Sequence, residues 1–215
     1  MVDDWFVVRD GLAGAARFPP FARPLHRLSA IECLLLLSCG ASSAAAIAFI
    51  KLSLGIPGHS IVLAALPMVL GLSLAPRRFS GSLMSMGALG TAWSLTQFGG
   101  VRFGSGAFAS LLLLGPIMDI AMSRARSGWR VYASLVAAGV VTNILALGSR
   151  ALPKFLGFDL AGARPFDSWW LQASITYTLS GVVAGLLGAF CWFQFNDRNG
   201  QGTPLRRSGR QGSET

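Results

Sequence analysis

Six predominantly apolar stretches, each about as long as a bilayer is thick, divide this chain: Ile31 to Leu52, His59 to Ala75, Phe79 to Phe98, Gly106 to Met122, Trp129 to Gly148 and Trp169 to Phe195. A helix needs about 20 residues to cross roughly 30 Å of hydrocarbon, and it satisfies its own backbone polar groups while doing so. The expected fold class is all-α, an integral membrane bundle of six transmembrane helices. Leu66-Pro67 and Gly115-Pro116 interrupt the second and fourth stretches, where a proline removes a backbone donor and kinks the helix.

The basic residues set an orientation. Arg9, Arg17, Arg23 and Arg27 precede the first stretch, Arg77 and Arg78 follow the second, Arg124, Arg126 and Arg130 follow the fourth, and Arg198, Arg206, Arg207 and Arg210 lie beyond the sixth. These are thirteen of the 18 basic residues, all on one side of an alternating path. Lys51, Arg102, Arg150, Lys154 and Arg164 fall on the other, where Asp159 and Asp167 offset the last three. The positive-inside rule places both termini in the cytoplasm, as an even helix count requires, and makes this a multi-pass protein of the cell (inner) membrane.

A net charge of +9 could suggest a nucleic-acid partner, but 53% of residues are hydrophobic and 13% charged. The basic groups sit at helix ends, where anionic headgroups lie, and no basic face on a soluble fold is visible. Residues 1–28 form a cytoplasmic segment broken by Pro19, Pro20 and Pro24, without the apolar core of a cleaved signal peptide. Trp5 to Val8 suit a short interfacial piece. Residues 29–195 make the transmembrane domain, and 196–215, rich in Gly, Arg, Ser and Gln, are expected to be a disordered cytoplasmic tail.

Motifs for chemistry are sparse. Cys33, Cys39 and Cys191 are odd in number and lack metal spacing, and His26 and His59 are too far apart for a nitrogen-rich cage. No phosphate loop, zinc-protease helix or dinucleotide fingerprint occurs, so no cofactor is expected. Gly104-Ser105-Gly106 has the serine of an intramembrane protease, with His59 as the available base. Three small residues in a loop more often make a turn, and no enzymatic activity is expected.

Two patterns point to binding. In the first helix Gly40, Ala44 and Ala48 recur every four residues, with Ala41 and Ala45 in a second register. Small residues let another helix approach, because association in lipid depends on packing rather than on expelling water. The stripe serves either helix packing within the chain or docking of another subunit. A similar stripe in the last helix, Gly181, Gly185 and Gly188, reads as internal.

The second pattern is polar. Trp93, Thr96, Gln97, Thr142, Asn143, Trp169, Trp170, Gln172, Thr176, Tyr177 and His59 all fall in the outer half. Polar groups facing lipid are expensive, so they should turn into the bundle or a wet cavity. His59, Trp93, Gln97, Asn143, Gln172 and Tyr177 are the candidate substrate contacts; the bland reading is an aromatic belt with interhelical hydrogen bonds. Asp119 near the cytoplasmic end of the fourth helix calls for a partner such as Arg77, Arg78 or Arg124; a structural ion pair is expected, with a proton relay as the alternative. Glu32 suits the positive end of the first helix.

Taken together, the six helices, the Gly40/Ala44/Ala48 and Ala41/Ala45 registers, the run Gly55 to Ser60 leading into Pro76-Arg77-Arg78, and Gly115 to Asp119 resemble the substrate-binding S component of energy-coupling factor transporters. The resemblance spans residues 31–195 and rests on pattern and topology. It implies capture of a vitamin-like micronutrient, docking of Gly40, Ala41, Ala44, Ala45 and Ala48 on a membrane coupling (T) subunit, and two cytosolic ATPases that drive reorientation. It also implies that the loop from Gly55 to Ser60 gates the substrate. Metal-transporting relatives begin Met-His, whereas this chain begins Met1-Val2-Asp3, so nickel and cobalt are not expected. The chief alternative is a non-transporting membrane scaffold or assembly factor of another complex.

Overall fold

A computed structural model describes residues 29–50, 58, 60–76, 79–125, 129–156 and 166–200. Six helices stand where the six apolar stretches fall: α1 (Ala30–Phe49), α2 (Ser60–Leu74), α3 (Ser80–Gln97), α4 (Ser105–Arg124), α5 (Trp129–Phe155) and α6 (Phe166–Gly200). Among the described residues there is no strand. The first four begin and end within three residues of the apolar runs. The last two overshoot, α5 by seven residues beyond Gly148 and α6 by five beyond Phe195 into the stretch expected to be disordered.

Consecutive helices run in opposite directions. Ser43 on α1 meets Ala64 on α2, Ser80 opening α3 bonds Ala75 after α2, Gly81 on α3 meets Asp119 on α4, Gly106 on α4 meets Arg150 on α5, and Asn143 on α5 meets Tyr177 on α6. One end of the bundle therefore gathers Ala30, Leu74, Ser80, Arg124 and Trp129; the other gathers Phe49, Ser60, Gln97, Ser105 and Phe155. Around the bundle the order is α1, α3, α4, α5, α6, and α2 closes the circuit between α6 and α1 while also touching α3, α4 and α5.

The central place of α2 follows from its composition. Its 15 residues carry no charge, and a helix that is apolar all round belongs inside. At 1.5 Å per residue it is roughly 22 Å long, short of the hydrocarbon thickness. Ile61, Met68 and Leu72 on α2 are fully buried against Leu36, Met84, Leu111 and Met118 of its neighbours. Pro67 interrupts α2, and one turn earlier the buried Ser43 hydroxyl donates to the Ala64 carbonyl at 3.0 Å.

Glycine sets three close crossings. A Cβ on Gly40 would collide with the Met84 carbonyl and one on Gly87 with Leu37, which brings the α1 and α3 backbones together. Gly81 and Gly115 do the same for α3 and α4, where the Gly115 amide donates to Ser85 Oγ at 3.1 Å. Gly139 faces Gly181, and Gly185 faces Leu135 and Val136, joining α5 to α6. The α6 stripe is thus internal, as expected.

At the Arg124 end, Asp119 accepts hydrogen bonds at 2.8 Å from the amides of Gly81 and Ser82 and from Ser82 Oγ. Among the described residues these are its partners, and Arg124 is not one of them. The first amides of a helix lack internal partners, and Phe79 before α3 stands at φ 69 with no side-chain cap, so a carboxylate on α4 supplies one. Arg77 and Arg78 lie outside the described residues. At the start of α1, Glu32 accepts from the Ser29 amide at 3.1 Å.

Large apolar side chains cover the outside, among them Ile31, Leu34, Met86, Leu171 and Phe190. Contiguous surface of this kind suits lipid rather than water. Four helices, α1, α4, α5 and α6, are long and apolar enough to cross a membrane, and the chain has the makings of a multi-pass membrane protein.

Candidate functional site

The candidate site lies at the Gln97–Ser105 end, where α4, α5 and α6 converge. Tyr177 is buried on α6, and its hydroxyl accepts a hydrogen bond from Arg150 Nη1 at 3.1 Å. Its backbone carbonyl accepts one from Asn143 Nδ2 at 2.7 Å. Tyr177 forms a small core with Ala146, Leu147 and Ala173, and Asn143 lies one turn before Ala146 and Leu147 on α5. Inside such surroundings a polar group needs a partner.

Two atoms there have none. Asn143 Oδ1 and the neighbouring Thr142 Oγ1 are buried without a hydrogen-bond partner. Leaving a buried acceptor or hydroxyl unmatched costs about 1–3 kcal/mol, so these atoms mark a place where a further polar group would be welcome.

Glycines bring the backbone close to Tyr177 and Arg150. A Cβ on Gly58, whose φ is +88, would lie 3.1 Å from Tyr177 Cγ, and one on Gly106 would lie 3.0 Å from Arg150 Cδ and 3.2 Å from the Tyr177 hydroxyl. Gly104 stands against Arg150 Nη2. It also lines a cleft of about 490 Å³ between Ile47 and Ala48 of α1, residues 100–104 and Ala107 of α4. Arg102 is on the wall, and Phe103 packs edge-on against Phe108 with centroids 5.6 Å apart. This volume falls within the range of about 300–1,000 Å³ typical of small-molecule sites.

Of the six candidate substrate contacts, Asn143 and Tyr177 meet directly. Trp93, Gln97 and Gln172 are exposed; Trp93 belongs to α3, Gln97 ends it, and Gln172 lies near the start of α6. His59 lies outside the described residues, as does most of the Gly55–Ser60 run, and its pairing with Ser105 falls there too. Of the candidate docking residues, Gly40 and Ala44 are buried, Gly40 directly against α3; Ala41, Ala45 and Ala48 are half-buried, and Ala48 lines the cleft. Sequence reasoning passed over Arg102 and Arg150 as outer-side charge. The glycine-rich run from Gly99 to Gly106 was the available signal.

The arrangement offers a guanidinium, a phenol and unmatched amide and hydroxyl oxygens, which suits binding. Among the described residues no three His, Cys, Asp or Glu side chains come together for a metal, and the three cysteines carry free thiols. Comparison with protein-family models, curated proteins and solved structures finds no match.

Proposed function

We infer that this protein is the substrate-binding subunit of an ATP-driven uptake transporter for a vitamin-like micronutrient, with six membrane-spanning helices, both termini in the cytoplasm and no chemistry of its own. The observation that carries the reading is the cleft of about 490 Å³ at the Gln97–Ser105 end, which opens on the outer side in the orientation that the basic residues favour. The buried, incompletely matched Asn143 and Thr142 lie in the same half of the bundle. Partners in this reading are a membrane coupling subunit, which meets the half-buried Ala41 and Ala45 of α1, and two cytosolic ATPases.

A second reading, a membrane scaffold or assembly factor, draws on α1. Only 22% of its span is buried inside the bundle, less than in the other three long apolar helices, and such a face suits lateral association with any membrane partner. Gentle crosslinking in the native membrane, purification in mild detergent and mass spectrometry of the co-purifying chains separates the two. A coupling subunit with two ATPases is the expected result; an unrelated membrane complex would transfer the conclusion to the scaffold.

A further inference from the structure

The cleft has a charge. Among the described residues Arg102 is the one charged residue that lines it, and no carboxylate does. Among the described residues no hydrogen bond or ion pair engages the Arg102 guanidinium. A second guanidinium lies close by, because a Cβ on Gly104, which lines the cleft, would stand 3.3 Å from Arg150 Nη2. Tyr177 holds that group through its other nitrogen, Nη1.

The local backbone adds to the same sign. Gly104 is the residue before α4 and provides no side-chain acceptor for the first amides of the helix; it and Ala107 of the first turn line the cleft, which puts the positive end of the helix at its margin. Among the described residues Ile47, Val101, Phe103 and Ala107 add apolar wall. Low-dielectric walls strengthen the field of a fixed charge and raise the local concentration of counter-ions.

We propose that the cleft takes a small water-soluble organic anion, such as a carboxylate, with Arg102 as its counter-charge and Arg150 as a second positive group beside Gly104. The proposal rests on the reading of the cleft as a substrate site and names the class of substrate. Guanidinium groups recognise planar carboxylates through paired hydrogen bonds, and Phe103 offers an aromatic surface for the body of the ligand. An anionic lipid headgroup has the same charge chemistry; a soluble anion is favoured because the cleft is lined by the exposed loop residues Gly100, Arg102 and Gly104 as well as by helices.

The test uses the full chain in nanodiscs of phosphatidylcholine, with Cys33, Cys39 and Cys191 replaced by Ala and a single cysteine introduced by Ala48→Cys at the cleft wall. Its labelling rate is measured with anionic sulfonatoethyl and cationic trimethylammonioethyl methanethiosulfonate, each normalised to its rate with free cysteine. The anionic reagent should be favoured about tenfold. Arg102→Gln should remove most of that preference and Arg102→Lys should retain it. Benzoate should slow labelling where benzamide does not.

Equal rates in the parent, a preference that survives Arg102→Gln, or equal protection by benzamide would overturn the proposal. Protection that depends on phosphatidylglycerol in the disc would also overturn it, by assigning the cleft to a headgroup. Because labelling needs no partner chain, an anion preference without co-purifying ATPases would remove the uptake reading and leave the anion site, whereas ATPases without the preference would remove the anion site alone.

Discussion

Asp119 on α4 grips Ser82 on α3 twice, accepting one hydrogen bond from its amide and one from its hydroxyl, each 2.8 Å long. With a third bond from the Gly81 amide, one helix caps the next. The same turn holds the Gly81–Gly115 crossing, so the cap and the close approach support each other: the glycines let the carboxylate reach, and the carboxylate satisfies the amides that the approach removes from solvent.

Asp119→Ala should therefore destabilise the bundle by about 1–3 kcal/mol, the usual cost of losing a cap and leaving its amides unmatched. Asp119→Asn, which keeps an acceptor, should cost less. Arg124→Gln should stay within about 0.5 kcal/mol of the parent. Thermal unfolding in lauryl maltoside checks all three, and an Arg124→Gln loss equal to that of Asp119→Ala would restore the ion pair.

The glycines divide into two groups. Gly40→Ala and Gly115→Ala press a methyl group into the Met84 and Gly81 carbonyls, and each should cost about 1–3 kcal/mol as an overpacked contact. Nothing lies within 4 Å of a Cβ at Gly90 or Gly148, so Gly90→Ala and Gly148→Ala should be neutral or stabilise by up to about 1 kcal/mol through helix propensity. The same unfolding assay would count against the close crossings if the two groups behaved alike.

Thr142 carries a hydroxyl that is buried without a partner. Thr142→Val keeps the shape and removes the unmatched group, so it should raise the stability of the ligand-free protein by about 1 kcal/mol. If the hydroxyl serves a ligand, the same variant should bind more weakly. Stability and ligand affinity moving in opposite directions is the expected pattern; a loss of stability in the ligand-free state would mean the hydroxyl has a structural partner.

Tyr177→Phe and Arg150→Met each remove one side of a single hydrogen bond. A double-mutant cycle should return a coupling of about 0.5–1.5 kcal/mol. A coupling indistinguishable from zero would show that Arg150 is held by solvent rather than by Tyr177.

Ala44 and Ala45 are adjacent but differ in burial, Ala44 being fully enclosed and Ala45 half-buried. Ala44→Leu should lower stability by about 1–3 kcal/mol. Ala45→Leu should leave unfolding unchanged and reduce recovery of the coupling subunit after crosslinking. Full recovery with Ala45→Leu would exclude that register as the docking face.

The positions of the six helices were legible in the amino-acid sequence, because the length of an apolar run and the turn residues that bound it are local properties. Even α2, interrupted by Pro67, falls within one residue of its apolar run. The ends of α5 and α6 were less legible, since Arg150, Lys154, Asp167 and Asn196 are hydrophilic yet helical; apolarity marks what lipid or core covers, whereas a helix can run on past both.

The sequence by itself also determined that Asp119, Asn143 and Tyr177 needed partners and that the glycine and alanine stripes invited close neighbours. Which partners was a tertiary decision. Among the described residues Asp119 met the amides of α3 and not Arg124, Gly40 went against Met84, and Arg150 came to Tyr177 across the α5–α6 pair. The physical reason is that polarity and side-chain size state a requirement at one residue, while the atom that meets it is chosen by the order in which the helices pack around α2, a property of the whole chain.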